Sequence, residues 1–295
     1  MSKTSPPASP AEPVTEQPAD AQAAPAGEAP AEEPRPARPT LAQYRAVAHP
    51  PGLMDRRSGE HWAGRLYMRR ISSRISRHLI RFPLSANGFT YLMMVAGVLG
   101  GAALLIPGVW GAVLGALLIQ VYLGLDCVDG ELARWRRQTS ITGVYLDRVG
   151  HYVSEAALLT GFGLRAADLS GRNGGPAWQW AFVGTLAALG AILIKAETDL
   201  VDVARIRKGL PAVDDAASVP RSGGVAKARK LASALKFHRL IGGVEASLVI
   251  LLAGIADAAR GDLAVSRVVV CVLAAIAVVQ TVLHLLSIVL SSRLR

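Results

Sequence analysis

Six long apolar stretches limit the structures open to this chain more than any other feature of its sequence. They run at about 84–106, 108–127, 144–168, 178–198, 241–258 and 266–290. Each is close to the roughly 17–25 residues that a helix needs to cross a bilayer. Backbone groups in lipid must be hydrogen-bonded within their own segment, and the stretches lack the alternation of a β-barrel. The sequence therefore predicts an all-α, polytopic membrane protein with six transmembrane helices.

Two segments precede the predicted six-helix membrane domain at 83–295. Residues 1–40 are rich in Pro, Ala and Glu and hold almost nothing large enough to build a core, so we predict a disordered tail. Residues 41–82 hold nine Arg against Asp55 and Glu60. Apolar residues recur there at nearly helical spacing: Leu66, Ile71, Ile75 and Leu79. This pattern predicts a basic juxtamembrane arm, with an amphipathic interfacial helix on an anionic membrane surface.

The distribution of positive charge predicts the orientation. The arm nets +7 (nine Arg less two acids), and the connection at 205–239 also nets +7 (nine Lys or Arg less Asp214 and Asp215). With six spans, these segments and the basic residues Arg293 and Arg295 fall on one side. The positive-inside rule makes that side the cytoplasm, so we expect both termini there, in the cell membrane. Such charge on an apolar protein favours membrane lipid or phosphate partners, and no motif for nucleic acid is present.

Ionisable residues inside spanning segments are rare, and here they cluster where the second stretch ends and the third begins. Asp126 and Asp129 are three residues apart on one helical face, and Asp147 and His151 are four apart on the next helix. Carboxylates that converge repel one another unless a cation compensates them. Oxygen ligands favour Mg²⁺ or Mn²⁺, either of which can neutralise a pyrophosphate. The alternative is a set of boundary charges in structural ion pairs.

This pattern resembles the CDP-alcohol phosphotransferase family, whose signature is D-x-x-D-G-x-x-A-R, seven or eight residues, then G-x-x-x-D-x-x-x-D. The chain reads Asp126-x-x-Asp129-Gly130-x-x-Ala133-Arg134, eight residues, then Gly143-x-x-x-Asp147-x-x-x-His151, which matches seven of the eight positions. The resemblance covers roughly 83–290. It implies a six-helix membrane domain, usually a homodimer, with a cytoplasm-facing site that binds CDP and divalent metal and releases CMP.

The resemblance also implies roles for individual residues. Asp126, Asp129 and Asp147 are expected as metal ligands. Small residues and one guanidinium are expected to line the nucleotide: Gly130, Ala133, Arg134 and Gly143. The sequence "PLSANGFT" at 83–90 is similar to the start of the family's first helix and adds Asn87 as a candidate.

The last signature position departs from the family, because His151 stands where an Asp resembling a general base is expected. Imidazole has an unperturbed pKa of about 6.5, so His151 is our candidate catalytic base. Glu155, one turn further along, is an alternative base. Lys195 and Arg239 are candidates for binding the acceptor, although charges that flank a membrane helix are often only topological.

We therefore predict an enzyme of phospholipid synthesis. It is expected to transfer a phosphoryl-linked group from a CDP-linked donor, CDP-diacylglycerol first, to an alcohol or polyol phosphate. Two alternatives stay open at this point. One is a transferase with a soluble CDP-polyol or CDP-aminoalcohol donor. The other is a catalytically inactive relative that binds CDP and metal, because the expected fourth Asp is His151.

Overall fold

The computed structural model describes residues 34–50, 63–171, 176–211, 241–291 and 294, and this part of the chain contains eight α-helices and no strand. Two short helices form the arm: α1 (Leu41–Ala48) and α2 (Arg69–Leu79), the second continuing a π-helical turn at Gly64–Met68. Six long helices follow: α3 (Ala86–Ala103), α4 (Val109–Arg136), α5 (Ile141–Ala166), α6 (Trp178–Arg207), α7 (Gly243–Arg260) and α8 (Ala264–Val289). The prediction of an all-α protein is confirmed for these residues.

Each long helix coincides with one of the six predicted apolar stretches. Four of them, α3, α4, α6 and α8, are long and apolar enough to cross a bilayer. Charged side chains interrupt the other two, such as Asp147 and Arg148 in α5 and Glu245 and Asp257 in α7. The apolar helices support an integral membrane protein, whereas the count of six spans stays a prediction. The main changes in bounds are in α4 and α6, which continue past the predicted ends at 127 and 198 to Arg136 and Arg207.

The six long helices close into a ring in which α3, α4, α7, α8, α6 and α5 are successive neighbours, and α5 also touches α7 and α8. Small residues permit close approach where α5 meets α6. A Cβ added at Gly163 would lie 2.7 Å from the Cα of Gly184, and one at Gly184 would lie 2.5 Å from the Cα of Gly163. These two backbones are therefore in direct contact, which fixes α5 against α6.

The arm is helical in two separate pieces, not in one continuous helix. In α2 the serines at 72, 73 and 76 are buried against the protein, whereas Ile71 and Ile75, and Leu66 in the preceding turn, are exposed. Three of the four predicted apolar residues thus face outward, as an interfacial helix requires, while Leu79 is half-buried against the core. Several predictions lie outside the described residues: the tail at 1–33, most of the basic connection, including Arg239, and the terminal residues Arg293 and Arg295.

Candidate active site

The short linker between α4 and α5 brings both halves of the signature to one end of the bundle. Helix α4 ends at Arg137, which adopts the left-handed conformation (φ 57°), while Gln138 N donates to Ala133 O at 2.8 Å. Ser140 then begins α5, because its hydroxyl accepts a hydrogen bond from Gly143 N at 3.0 Å. The last turns of α4 and the first turns of α5 therefore lie at the same end of the bundle.

Asp126, Asp147 and His151 converge at this end. Each offers a ligand atom, and these atoms all lie within 4.8 Å of one another. His151 Nε2 is 3.3 Å from Asp126 Oδ1 and 3.5 Å from Asp147 Oδ1. Helical spacing predicts that Asp147 and His151 share a face of α5, and the packing of both α4 and α5 against α3 brings that face toward Asp126.

Tyr122 holds the other side of the His151 ring. Its hydroxyl is hydrogen-bonded to His151 Nδ1, and the two rings meet edge to face with centroids 5.8 Å apart. Tyr122 is only 1% exposed, so its hydroxyl is directed inward. Sequence reasoning missed this residue. The available signal was its position four residues before Asp126, on the same face of α4.

Asp129 lies in the same region but is not in the three-residue group. Its Oδ2 accepts a hydrogen bond from Thr90 Oγ1 on α3 at 2.7 Å, and both side chains are buried. Thr90 was also not anticipated, although it lies three residues after Asn87 on the same helical face. The carboxylate of Asp129 is therefore positioned by α3 as well as by its own helix.

A cavity of about 350 Å³ opens beside these carboxylates. Seven of the eight predicted site residues line it, all except His151: Asp126, Asp129, Gly130, Ala133, Arg134, Gly143 and Asp147. Asn87 and Arg69, from α3 and α2, line it as well. A Cβ added at Gly130 would lie 3.2 Å from a terminal nitrogen of Arg134, so the guanidinium crosses over this glycine. A Cβ added at Gly143 would lie 3.1 Å from Asn87 Oδ1.

Glu155 is engaged elsewhere, which removes support for it as an alternative base. Its Oε1 lies 2.8 Å from Lys195 Nζ and accepts a hydrogen bond from Gly243 N at 3.1 Å. Glu155 is buried, and this ion pair joins α5, α6 and the start of α7. Lys195, predicted as an acceptor-binding residue, thus has a structural partner within the bundle.

The three converging side chains fit a divalent cation. Two carboxylates and one imidazole supply oxygen and nitrogen donors, and Asp129 offers a further carboxylate nearby. Carboxylates suit Mg²⁺ and Mn²⁺, while an imidazole donor shifts the balance toward a transition metal such as Mn²⁺. The donor set thus agrees with a divalent metal without specifying which one.

Comparison with known proteins agrees with the signature. Residues 84–197 match the CDP-alcohol phosphatidyltransferase family. This matched segment, less than half of the chain, is similar in sequence to that family. It contains every residue of the signature, from Asp126 to His151, and so confirms the resemblance. The match is shorter than the predicted extent of 83–290, because the arm, α7 and α8 lie outside it.

Individual relatives point the same way. The chain is 30% identical over 143 residues to the bifunctional IPC transferase and DIPP synthase of Thermococcus kodakarensis, covering 48% of this chain and 30% of that protein. It is 32% identical over 103 residues to the phosphatidylinositol phosphate synthase of Streptomyces avermitilis, covering 34% of this chain and 40% of that protein. A protein of Aquifex aeolicus with the same bifunctional name is 26% identical over 144 residues, covering 48% of this chain and 30% of that protein. The matches span less than half the length of these curated relatives.

Proposed function

We propose that this chain is a membrane-embedded CDP-alcohol phosphotransferase. It transfers a phosphoryl-linked group from a CDP-activated donor to a hydroxyl group and releases CMP. The observation that carries the proposal is the convergence of Asp126, Asp147 and His151 within 4.8 Å, beside a cavity of about 350 Å³ lined by the family's signature residues. A set of structural ion pairs has no need of a cavity lined by small residues.

In this proposal Asp126, Asp129 and Asp147 hold a divalent ion, Mg²⁺ or Mn²⁺. When bound, such an ion neutralises charge on the pyrophosphate and makes CMP a better leaving group. Arg134 binds a phosphate oxygen of the donor, and Gly130, Ala133 and Gly143 leave space for the nucleotide to approach the backbone. These assignments rest on the signature and on the position of the side chains along the cavity.

His151 is the proposed proton acceptor, so in this proposal it does not ligate the ion, which the three carboxylates hold. As the acceptor oxygen forms its bond to the donor phosphorus, the bond from phosphorus to the CMP oxygen breaks and the hydroxyl proton passes to His151 Nε2. For Nε2 to accept this proton the neutral ring carries its hydrogen on Nδ1, which donates to the Tyr122 hydroxyl oxygen and so orients the ring. The carboxylates of Asp126 and Asp147 stabilise the imidazolium that results. A histidine can therefore serve in the position where the family carries an Asp.

CDP-diacylglycerol is the proposed donor and a polyol phosphate the proposed acceptor. Support comes from the family's description as phosphatidyltransferases, and from the Streptomyces relative, whose name gives phosphatidylinositol phosphate as its product. A soluble CDP-polyol donor is the second candidate, because the two bifunctional relatives have names without a phosphatidyl group.

We further propose six membrane spans, with both termini and the active site on the cytoplasmic side, in a homodimer. The support for this orientation is the +7 of the arm (nine Arg less two acids) and the +7 of residues 205–239 (nine Lys or Arg less two acids). Reporter fusions at each end of the chain test the orientation, and a terminus found outside the cytoplasm contradicts it.

The reaction is tested with purified full-length chain in detergent. Radiolabelled CDP-diacylglycerol or a soluble CDP-polyol is supplied with Mg²⁺ or Mn²⁺ and a panel of glycerol phosphate, inositol phosphate, serine and inositol, and CMP release is measured. We expect release only with metal and a phosphorylated polyol. Tight CDP binding without turnover on any acceptor would refute the catalytic proposal and support the inactive alternative.

The role of His151 is tested by substitution. We expect His151→Ala to reduce CMP release by roughly a hundredfold, within the usual contribution of a general base. His151→Asp, which restores the family's residue, is expected to retain substantial activity. An unchanged rate in His151→Ala would exclude it as the base.

A further inference from the structure

The arm, which lies outside the family-matched segment, packs directly on the turns of α4 that carry the signature. Tyr44 of α1 and Trp135 of α4 are both buried, and their rings are 5.1 Å apart at an angle of 39°. Burial and the nearby Glu131 carboxylate raise the pKa of the Tyr44 hydroxyl, so Tyr44 stays neutral in this contact. Helix α1 is therefore fixed against α4 by an aromatic pair.

A buried carboxylate on α4 connects both arm helices. Glu131 is 0% exposed, and its Oε1 accepts hydrogen bonds from His49 Nε2 at 2.9 Å and from Ser72 Oγ at 2.6 Å. A buried carboxylate is costly unless it is hydrogen-bonded, so these two donors are needed where Glu131 lies. Glu131 itself does not line the cavity, but the residue before it, Gly130, does.

The same junction holds Arg134. Its Nε donates to the carbonyl of Ala48, the last residue of α1, at 2.7 Å. The terminal nitrogens of the guanidinium lie over Gly130, and both residues line the cavity. The Nε–H of Arg134 is thus directed toward the arm, while its terminal nitrogens are beside the site.

We propose that the arm forms one side of the nucleotide site. In this arrangement α1 positions Arg134 to bind a phosphate of a nucleoside diphosphate. This inference rests on the proposed function, because it names what sets the geometry of a residue of that same site. His49 is a positioning residue: it acts through Glu131 and the end of α1 and does not itself touch the ligand. Arg69 of α2 also lines this cavity, so the arm itself contributes one guanidinium in addition to that of Arg134 on α4.

A double-mutant cycle separates positioning from general stability. The dissociation constant of CDP is measured with Mg²⁺ present, for the full-length chain and for His49→Leu, Arg134→Ala and the double variant. We expect His49→Leu to weaken CDP binding about tenfold, and Arg134→Ala to weaken it by roughly ten- to a hundredfold. In the Arg134→Ala background, His49→Leu is expected to change affinity by less than about twofold, because the residue that it positions is gone.

Two further variants serve as controls. His49→Gln keeps a donor toward Glu131 and is expected to retain most of the CDP affinity. Thr185→Val changes an exposed hydroxyl of α6 that bonds within its own helix, so its affinity should equal that of the unmodified chain. If His49→Leu does not yield folded protein, Ser72→Ala, which removes the other donor to Glu131, takes its place in the cycle.

The outcomes distinguish the inference from the proposed function. Equal losses of affinity from His49→Leu in both backgrounds, or no loss in either, would overturn the positioning role while the proposed function stands. If the unmodified chain itself does not bind CDP, the proposed function fails, and the inference fails with it. Thermal unfolding midpoints recorded on the same samples separate loss of affinity from loss of folded protein.

Discussion

The hydrogen bond between Thr90 and Asp129 offers a sharp test of the site, and Thr90→Val removes it while preserving the shape of the side chain. A hydroxyl has one proton to donate. Two acceptors are near: Asp129 Oδ2 at 2.7 Å and Ala86 O at 3.3 Å. The carboxylate is nearer and charged, so it receives the proton. Valine leaves that buried oxygen without this donor.

The size of the effect follows from burial. Thr90 is 3% exposed and Asp129 is 7% exposed, so water replaces the lost donor only where both residues line the cavity. A hydrogen bond to a charged group contributes about 1.5–3 kcal/mol, and we expect a loss of about 2 kcal/mol in the free energy of unfolding. Residues that orient a metal ligand typically affect metal affinity by roughly ten- to a hundredfold. If Asp129 is a ligand, the dissociation constant of Mn²⁺ should rise by that factor.

The assay follows Mn²⁺ binding by electron paramagnetic resonance in detergent, together with the thermal midpoint. Thr90→Ser keeps the hydroxyl and should bind Mn²⁺ nearly as tightly as the unmodified chain. Thr185→Val is the matched control, because the exposed Thr185 bonds only to Ala181 O of its own helix, at 2.9 Å. If Thr90→Val lowers the midpoint but leaves Mn²⁺ affinity unchanged, Asp129 is not a ligand. If neither changes, the hydrogen bond has no energetic role.

Three other perturbations test the remaining parts of the site. Tyr122→Phe removes the hydroxyl that orients His151 and should slow CMP release roughly tenfold with CDP affinity unchanged; an unchanged rate would contradict that role. Lys195→Met leaves the buried carboxylate of Glu155 without its cation and should destabilise the bundle by about 3–5 kcal/mol. A lower thermal midpoint, recovered in Lys195→Arg, is the expected result, and an unshifted midpoint would refute it. Chelation with EDTA should abolish CMP release and added Mn²⁺ or Mg²⁺ should restore it, whereas activity that survives chelation rules out the metal site.

Much of the site is predictable because it is local in sequence. Asp126 and Asp129 share a face at helical spacing, as do Asp147 and His151, and a linker of four residues keeps the end of α4 near the start of α5. The start of α5 follows from a local signal, the hydroxyl of Ser140, whereas the continuation of α4 to Arg136 was not predicted. Convergence at one end of the bundle therefore follows largely from periodicity and chain connectivity.

The partners of these residues are not predictable in the same way, because they come from distant segments. Nothing in the spacing of Asp129 indicates that Thr90 of another helix donates to it. Glu155 is one turn from His151, which made it a plausible base, but the packing of α6 brings Lys195 to it instead. Which side chain fills a buried space depends on how helices pack, and that information is distributed over the whole bundle.

The sequence by itself determined the helical class, the positions of the long helices and the composition of the carboxylate cluster, because hydrophobic length and helical periodicity are properties of single segments. Only the tertiary structure decided that His151 is held by Tyr122, that Asp129 is held by α3, and that α1 lies against Arg134. The physical reason is that a buried polar group must find a hydrogen-bond partner in space, and proximity in space is not written in the local sequence.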